Sequence, residues 1–372
     1  MAREAGALPG DLETDTRGAP SVPWSLLSPG VGRRSFTAVA GIALFVLALE
    51  AIKTGAGGVV PLIDGLAISG PANAAGFGWL MAYVALSGSP VAAVGISLLS
   101  GDVLSKEEAF AVIGGSRLGA SFIVLAVGYA MYVARRRNAD GLYIGVVALV
   151  TTITTQGPAL VLGLVSLHSG WLDAVSFSTP GVLTDVVGTV VEAPVGLLER
   201  MLPTAGVFGV GVLVLVASFW VFDRALPQLE GEAEGIARVL HALRRRPLMF
   251  ILGGAVTAIT MSVSISLTVL VPLSMKGYVR RESIVPYVMG ANITTFIDTL
   301  FASVLLGGQA AFVVVLTEML AVAAVSLVLL TVLYRPYLAT VLGMARWVTA
   351  GPRHFTAFLI MIVGAPLILL LV

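Results

Sequence analysis

The stretches LSGSPVAAVGISLLSGDVLSKEEAFAVIGGSRLGAS (Leu86 to Ser121) and MSVSISLTVLVPLSMKGYVRRESIVPYVMGANITTF (Met261 to Phe296) lie 175 residues apart and share one order of features. In each, an apolar run dotted with hydroxyl side chains leads through a short charged bend to a glycine-containing turn. At this fixed shift four pairs coincide: Ser87 with Ser262, Ser89 with Ser264, Glu107 with Glu282, and Gly115 with Gly290. The shared order, more than the few identities, predicts an internal duplication. Duplicated apolar segments interrupted by Gly or Pro are typical of transporter binding sites.

The composition is that of a membrane protein with several spans. Apolar residues make up 57% of the chain and charged residues 12%, whereas a soluble domain has roughly 25% charged residues. The chain has no cysteine, which excludes disulfides, thiolate metal sites and cysteine nucleophiles. Residues 1–35 are polar and lack the apolar region of a cleaved signal peptide, so they are predicted to form a disordered tail.

Hydrophobic runs of about 20 residues predict transmembrane helices. Seven such runs are present: 36–52, 109–133, 141–168, 204–223, 284–306, 309–334 and 354–372. Two further apolar stretches, 73–100 and 247–275, are interrupted by Ser, Gly or Pro. Because irregular backbone inside a bilayer must face protein or a wet cavity, these two are predicted to be re-entrant hairpins.

The distribution of basic residues predicts the orientation. With the amino terminus in the cytoplasm and each hairpin returning to its own side, 18 of the 22 Lys and Arg residues fall inside, as the positive-inside rule requires. The exceptions are Lys53, Lys106 and Arg200 outside and Arg117 within the membrane. The span 36–52 then runs outward and its counterpart 204–223 runs inward. The two copies are therefore predicted to be inverted repeats in a multi-pass protein of the cell (inner or plasma) membrane.

The predicted fold is an all-α polytopic membrane protein with two inverted-topology repeats, each with a re-entrant hairpin and broken helices. The predicted regions are the tail 1–35, repeat 1 at 36–133, a linking span and external loop at 134–203, repeat 2 at 204–306 and C-terminal spans at 307–372. Residues 336–350 are predicted to form an interfacial helix.

The second copy resembles the sodium–phosphate cotransporter family of the type II kind and its bacterial relatives, of which the chain would be a divergent member. The resemblance lies in VMGANITTFIDTL (Val288 to Leu300) and MSVSIS (Met261 to Ser266) and, more weakly, in LSGSP (Leu86 to Pro90) and GGSRLGAS (Gly114 to Ser121). It implies sodium-driven inward phosphate transport. Leu86 and Met261 replace a glutamine of the family motif, and Arg117 replaces an asparagine.

Hydroxyl side chains of both hairpins are candidates for substrate binding. The resemblance implies that Ser87, Ser89, Ser262, Ser264 and Ser266 meet substrate and ion. Amides and hydroxyls at the start of a half-helix bind anions, and unpaired carbonyls bind sodium. The alternative is that these serines bond to their own backbone or allow close packing between helices.

Charged and amide side chains at membrane depth are the other candidates. Arg117 costs at least about 2.5–3.5 kcal/mol there, and it would either bind an oxyanion or form an internal ion pair with Asp298. Asp298 and Glu318 are interpreted as cation ligands, proton carriers or partners of the arginine. Asn292, Thr294 and Thr295 follow Gly290 and suit a monovalent cation, unless they only cap or join helices.

The leading hypothesis is a secondary active transporter that takes up phosphate with sodium by alternating access. One alternative is transport of another anion, such as a carboxylate or phosphonate, coupled to protons. A second alternative is a non-transporting membrane partner or sensor with the same fold. No Walker loop, nucleophile elbow or metal-ligand spacing is present, so no enzyme activity, metal other than sodium, cofactor or nucleic acid is expected. The expected partners are a small anion, the lipid bilayer and a second copy of the chain.

Overall fold

The computed structural model describes residues 29–66, 68–134, 140–172, 174–175, 181–225, 245–275, 279–306 and 308–372. These residues are helices and short connections without any strand, so the predicted all-helical fold is confirmed for them. Of the predicted tail, residues 1–28 lie outside the described ranges, and helix already begins at Pro29. Arg135 to Arg137, Lys276 and residues 226–244 also lie outside.

Seventeen α-helices are present within those ranges. In chain order they are α1 (Pro29–Gly55), α2 (Val60–Gly65), α3 (Pro71–Ala85), α4 (Ser89–Ser100), α5 (Lys106–Ala120), α6 (Phe122–Ala134), α7 (Asp140–His168), α8 (Gly181–Met201), α9 (Thr204–Ala225), α10 (Arg246–Thr260), α11 (Val263–Thr268), α12 (Leu270–Met275), α13 (Arg281–Thr294), α14 (Phe296–Leu305), α15 (Gln309–Thr331), α16 (Tyr334–Thr349) and α17 (Pro352–Leu371).

Seven helical segments of the described chain are long and apolar enough to cross a membrane. They are Phe36–Gly65, Lys106–Ala130, Gly141–His168, Thr204–Val221, Arg281–Leu305, Gln309–Thr331 and Pro352–Leu371, and each overlaps one of the seven predicted spans. The interrupted stretches are shorter helices: α3 has 15 residues and α4 has 12. At 1.5 Å per residue these measure about 22 and 18 Å, less than the roughly 30 Å hydrocarbon core.

Helix breaks occur at corresponding places in the two halves. Helix α3 ends at Leu86 and α10 ends at Met261, and both of these residues are left-handed, with φ of 51° and 47°. The second spanning segment of each half is divided by a turn residue, Ser121 between α5 and α6 and Thr295 between α13 and α14. The breaks put polar backbone and hydroxyl groups inside otherwise apolar helices.

Glycines allow α3 to lie against α5 and α10 to lie against α13. A β-carbon on Gly78 would overlap the carbonyl oxygen of Val112, and one on Gly115 would overlap that of Ala75. In the other half the same contacts join two pairs, Gly253 with Tyr287 and Gly290 with Phe250. Every residue of these two pairs follows its counterpart by 175 positions. Helices α1 and α9 also pack along each other.

Helix α7 lies at the centre and contacts α5, α6, α12, α13, α15 and α16. The 169–203 segment, expected as an external loop, contains helix α8. One face of α8 explains this difference, because Val191 and Val195 are buried with Ala51 of α1 and Val207 of α9. Residues 334–349 form helix α16, which is not among the segments long and apolar enough to cross a membrane.

Candidate functional site

Arg117 is the centre of the most strongly polar part of the interior. It lies on α5, is 1% exposed, and pairs through Nη2 with Asp298 Oδ1 of α14 at 3.1 Å. Its Nη1 donates to Thr295 Oγ1 at 3.2 Å and to Ser89 Oγ at 3.4 Å. Nη2 also donates to Thr299 Oγ1. One guanidinium group therefore joins α4 and α5 of the first half to α14 of the second.

The spacing of the partners explains why a single arginine reaches them. Thr295, Asp298 and Thr299 stand at positions i, i+3 and i+4, which share one face of a helix. Because Thr295 is the N-cap residue of α14, directly after the break, that face starts with a hydroxyl group. The aromatic ring of Phe296 lies 4.9 Å from the Arg117 guanidinium carbon and adds a cation–π contact.

The ion pair leaves polar atoms unused. Among the described residues, Arg117 Nε and Asp298 Oδ2 are buried without a hydrogen-bond partner. Asp298, which is 4% exposed, also lines a cavity of about 350 Å³ between α1, α9 and α14. Met261, at the end of α10, lines the same cavity, and its other walls are mainly apolar. Buried polar groups without partners are uncommon and call for a ligand, a water or a functional role.

Glu318 is the second acid at this depth. It lies on α15 and is 1% exposed, and neither carboxyl oxygen has a hydrogen-bond partner within the described ranges. Its Oε1 lies against Gly114 of α5, where a β-carbon would come within 2.6 Å. Arg117 is near enough to interact with it electrostatically. The Arg117 region therefore contains one guanidinium group and two carboxyl groups.

Asn292 occupies the position of Arg117 in the second half, but its contacts differ. Its Nδ2 donates to Thr155 Oγ1 at 3.2 Å and to Thr152 Oγ1 at 3.3 Å, both on α7. Gln156 Nε2 donates to the Asn292 carbonyl oxygen at 3.5 Å, and Thr152 also bonds to Ser121 at 2.6 Å. These side chains join α7 to the broken helices of both halves.

The remaining hydroxyl candidates are dispersed. Ser266 Oγ accepts from Thr257 and contacts the Tyr287 hydroxyl at 3.0 Å, and Thr294 Oγ1 donates to the Gly254 carbonyl at 2.8 Å. Ser262 Oγ caps α11 by accepting from the Ile265 N–H at 3.3 Å. In the part of the chain that the structure describes, Ser264 Oγ is buried without a partner. Ser87 lies in the break between α3 and α4.

Of the predicted site residues, the structure brings together Ser89, Arg117, Thr295 and Asp298, with Glu318 nearby. It does not bring Asn292 or Thr294 into the same set of contacts, and Ser262 and Ser266 bond locally. Sequence reasoning missed Phe296 and Thr299. Both residues lie on the same short helix as Asp298, directly after Thr295, and this closeness in sequence could have indicated that they contact Arg117. Within the described ranges, no three His, Cys, Asp or Glu residues are placed to hold a metal ion.

None of the protein-family models, curated proteins or solved structures compared with the chain matches it. The likeness of Val288 to Leu300 to sodium–phosphate cotransporters therefore stays a prediction.

Proposed function

We propose that the protein is a secondary active transporter that carries a small inorganic anion, with phosphate as the first candidate and sodium as the coupling ion. The observation that carries the proposal is the Arg117–Asp298 pair, because it joins the two halves at their helix breaks and leaves one carboxylate oxygen unpaired beside a cavity. An arginine fork suits the oxygen atoms of phosphate or a carboxylate.

Charge balance explains how this pair would couple two ligands. An anion that joined Arg117 alone would leave a second negative charge beside Asp298, and a cation that joined Asp298 alone would stand beside the guanidinium. Either unbalanced charge is costly at low dielectric constant. When a sodium ion binds the Asp298 carboxylate, the ion pair between Asp298 and Arg117 breaks, and Arg117 then binds the anion. The two ligands therefore enter together, which is symport.

The two halves are proposed to be inverted repeats with re-entrant hairpins, so that rocking of one half against the other would give alternating access. Three observations at the same 175-residue spacing support this: the interhelical glycine contacts, the left-handed Leu86 and Met261, and the equal bounds of α3 and α10. The short lengths of α3 and α4 support a hairpin that enters and leaves on one side.

Proton coupling is the second candidate, and Glu318 favours it. This carboxyl group is buried without a hydrogen-bond partner among the described residues and lies within electrostatic range of Arg117. A proton carried by Glu318 or Asp298 would offset the charge of an incoming anion, as sodium does in the first candidate. The anion could then be an organic carboxylate or a phosphonate as well as phosphate.

Uptake of radiolabelled phosphate by proteoliposomes tests the proposal. We expect an inward sodium gradient at equal pH to raise uptake roughly tenfold, an ordinary size for coupling between two ligands. A proton gradient without sodium should stimulate uptake only if Glu318 or Asp298 carries the proton. Empty liposomes give the background. If folded protein takes up no phosphate with either gradient, phosphate is not the substrate.

Cysteine labelling tests the inverted orientation. The native chain has no cysteine, and Ser105 and Arg280 are the exposed residues that precede α5 and α13. We expect an impermeant maleimide to label Ser105→Cys in intact cells, but to label Arg280→Cys only after permeabilisation, because the two helices start on opposite sides. Lys106→Cys, which keeps the Ser105 cap, is a second reporter for the outside. Labelling of both sites from one side would contradict the inversion.

A further inference from the structure

A second cavity lies apart from the Arg117 site, where α10, α13 and α16 begin. Its volume is about 350 Å³, and four arginine side chains line it: Arg246, Arg281, Arg335 and Arg346. Among the residues that the structure describes, Glu282 is the acid in the lining. These described lining residues therefore carry a formal charge of +3. The four arginines come from three different helices, and only the fold brings them together.

Two tyrosines hold part of this arginine set in place. The guanidinium carbon of Arg246 lies 4.1 Å from the ring centre of Tyr334, and that of Arg281 lies 4.5 Å from the ring centre of Tyr143. Both tyrosines are buried. Stacking of this kind orients a planar guanidinium and lowers the entropy it loses when it binds an oxyanion. The basic lining is therefore partly preorganised.

Helix ends add to the positive potential. Arg246 and Arg281 are the first residues of α10 and α13, and Tyr334 is the first residue of α16. The first-turn N–H groups of a helix lack partners within the helix and carry about half a positive charge. Burial raises the pKa of Tyr334 above its ordinary value, although Arg246 lowers it, so the phenol stays protonated. Its hydroxyl donates to the carbonyl oxygen of Glu282 at 3.1 Å.

The positive-inside rule accounts for arginines near these helix ends, but it does not require four of them to surround one cavity. Like charges that line one cavity experience mutual repulsion, of which Glu282 offsets a part. An anion with several oxygen atoms would remove it and would occupy several guanidinium groups at once. The cavity also has apolar walls from α16, including Leu338 and Leu342.

We propose that this cavity binds the phosphate group of a phosphate ester, either an anionic lipid headgroup or a soluble organic phosphate. The predicted orientation puts the cavity at the cytoplasmic membrane surface, where basic pockets between helices accept anionic headgroups. The apolar walls beside the arginines match the glycerol and first acyl carbons of a lipid. The site is separate from the transport site and does not depend on the transported substrate.

Binding to the full-length protein in neutral detergent tests this assignment. The probes are dihexanoyl phosphatidic acid and glycerol phosphate, which share the phosphate ester but differ in acyl chains. In wild-type protein we expect saturable binding that weakens with added salt. In Arg335→Gln/Arg346→Gln we expect the Kd to rise about 10–100-fold, because two charge-assisted contacts are lost. Equal Tm values without ligand would show that this variant is folded.

Matched variants separate a built site from general charge attraction. Arg224→Gln/Arg353→Gln removes two charges predicted to lie on the same membrane side but outside the cavity lining, and its Kd should stay at the wild-type value. Preference for phosphatidic acid identifies a lipid site, and equal affinity for both probes identifies a soluble ester. The proposal fails if neither probe binds, or if both double variants lose affinity equally.

Discussion

Arg117→Met is expected to abolish anion uptake and to lower the free energy of unfolding by about 3–5 kcal/mol, the usual cost of removing one partner from a buried ion pair. The reason is that Asp298, which is 4% exposed, would stay buried without the guanidinium group that now pairs with it. Thr295 and Thr299 would also lose a donor. Thermal unfolding in detergent measures the stability, and phosphate uptake by proteoliposomes measures the function.

The double variant Arg117→Met/Asp298→Leu separates the two effects. Replacing a whole buried ion pair by apolar side chains is often neutral or stabilising, so we expect most of the lost stability to return while uptake stays absent. Arg117→Lys keeps the charge and loses the planar fork, and it should transport less than the wild type. Uptake by the double variant would contradict an anion-binding role for Arg117. A stable wild type that took up neither phosphate nor another small anion would instead favour a membrane partner or sensor.

The spans and their interruptions could be predicted because the bilayer imposes them. A spanning helix needs about 20 apolar residues, and broken backbone at that depth needs polar surroundings. The sequence therefore predicted the span that contains α15 and an interruption within 73–100, which the structure has at Leu86. Helix α8 could not be predicted in this way. Its buried residues Val191 and Val195 are separated by the exposed residues 192–194, and they pack on the surface formed by α1 and α9.

The Arg117–Asp298 contact was open to prediction because an arginine at membrane depth requires a partner, and few acids were available. The partners of Asn292 were not. The partners of Asn292 depend on which face of α7 is turned toward α13, and in the structure that face carries Thr152 and Thr155. Equivalent sequence positions thus acquire different contacts, since Arg117 reaches across to α14 whereas Asn292 bonds to the central helix.

Gly290→Ala is expected to lower the free energy of unfolding by at least about 1–3 kcal/mol, the range for added volume in a packed interior. A β-carbon there would overlap the Phe250 carbonyl oxygen, and backbone atoms cannot turn aside as a side chain can. Gly115→Ala should cost a similar amount, because its β-carbon would overlap the Ala75 carbonyl in the other half. Thermal unfolding and the yield of monodisperse protein measure both variants.

Gly343→Ala is the matched control, and its expected effect has the opposite sign. Gly343 lies within α16, and no described residue outside its own stretch of helix comes within 4 Å of the place where its β-carbon would stand. Alanine should therefore stabilise this helix by roughly 0.5–1 kcal/mol, since glycine loses more conformational entropy on folding. If Gly290→Ala were as stable as Gly343→Ala, α10 and α13 could not lie as close as the structure has them. The close contact between Gly290 and Phe250, which matches that between Gly115 and Ala75, would then no longer support the equivalence of the two halves.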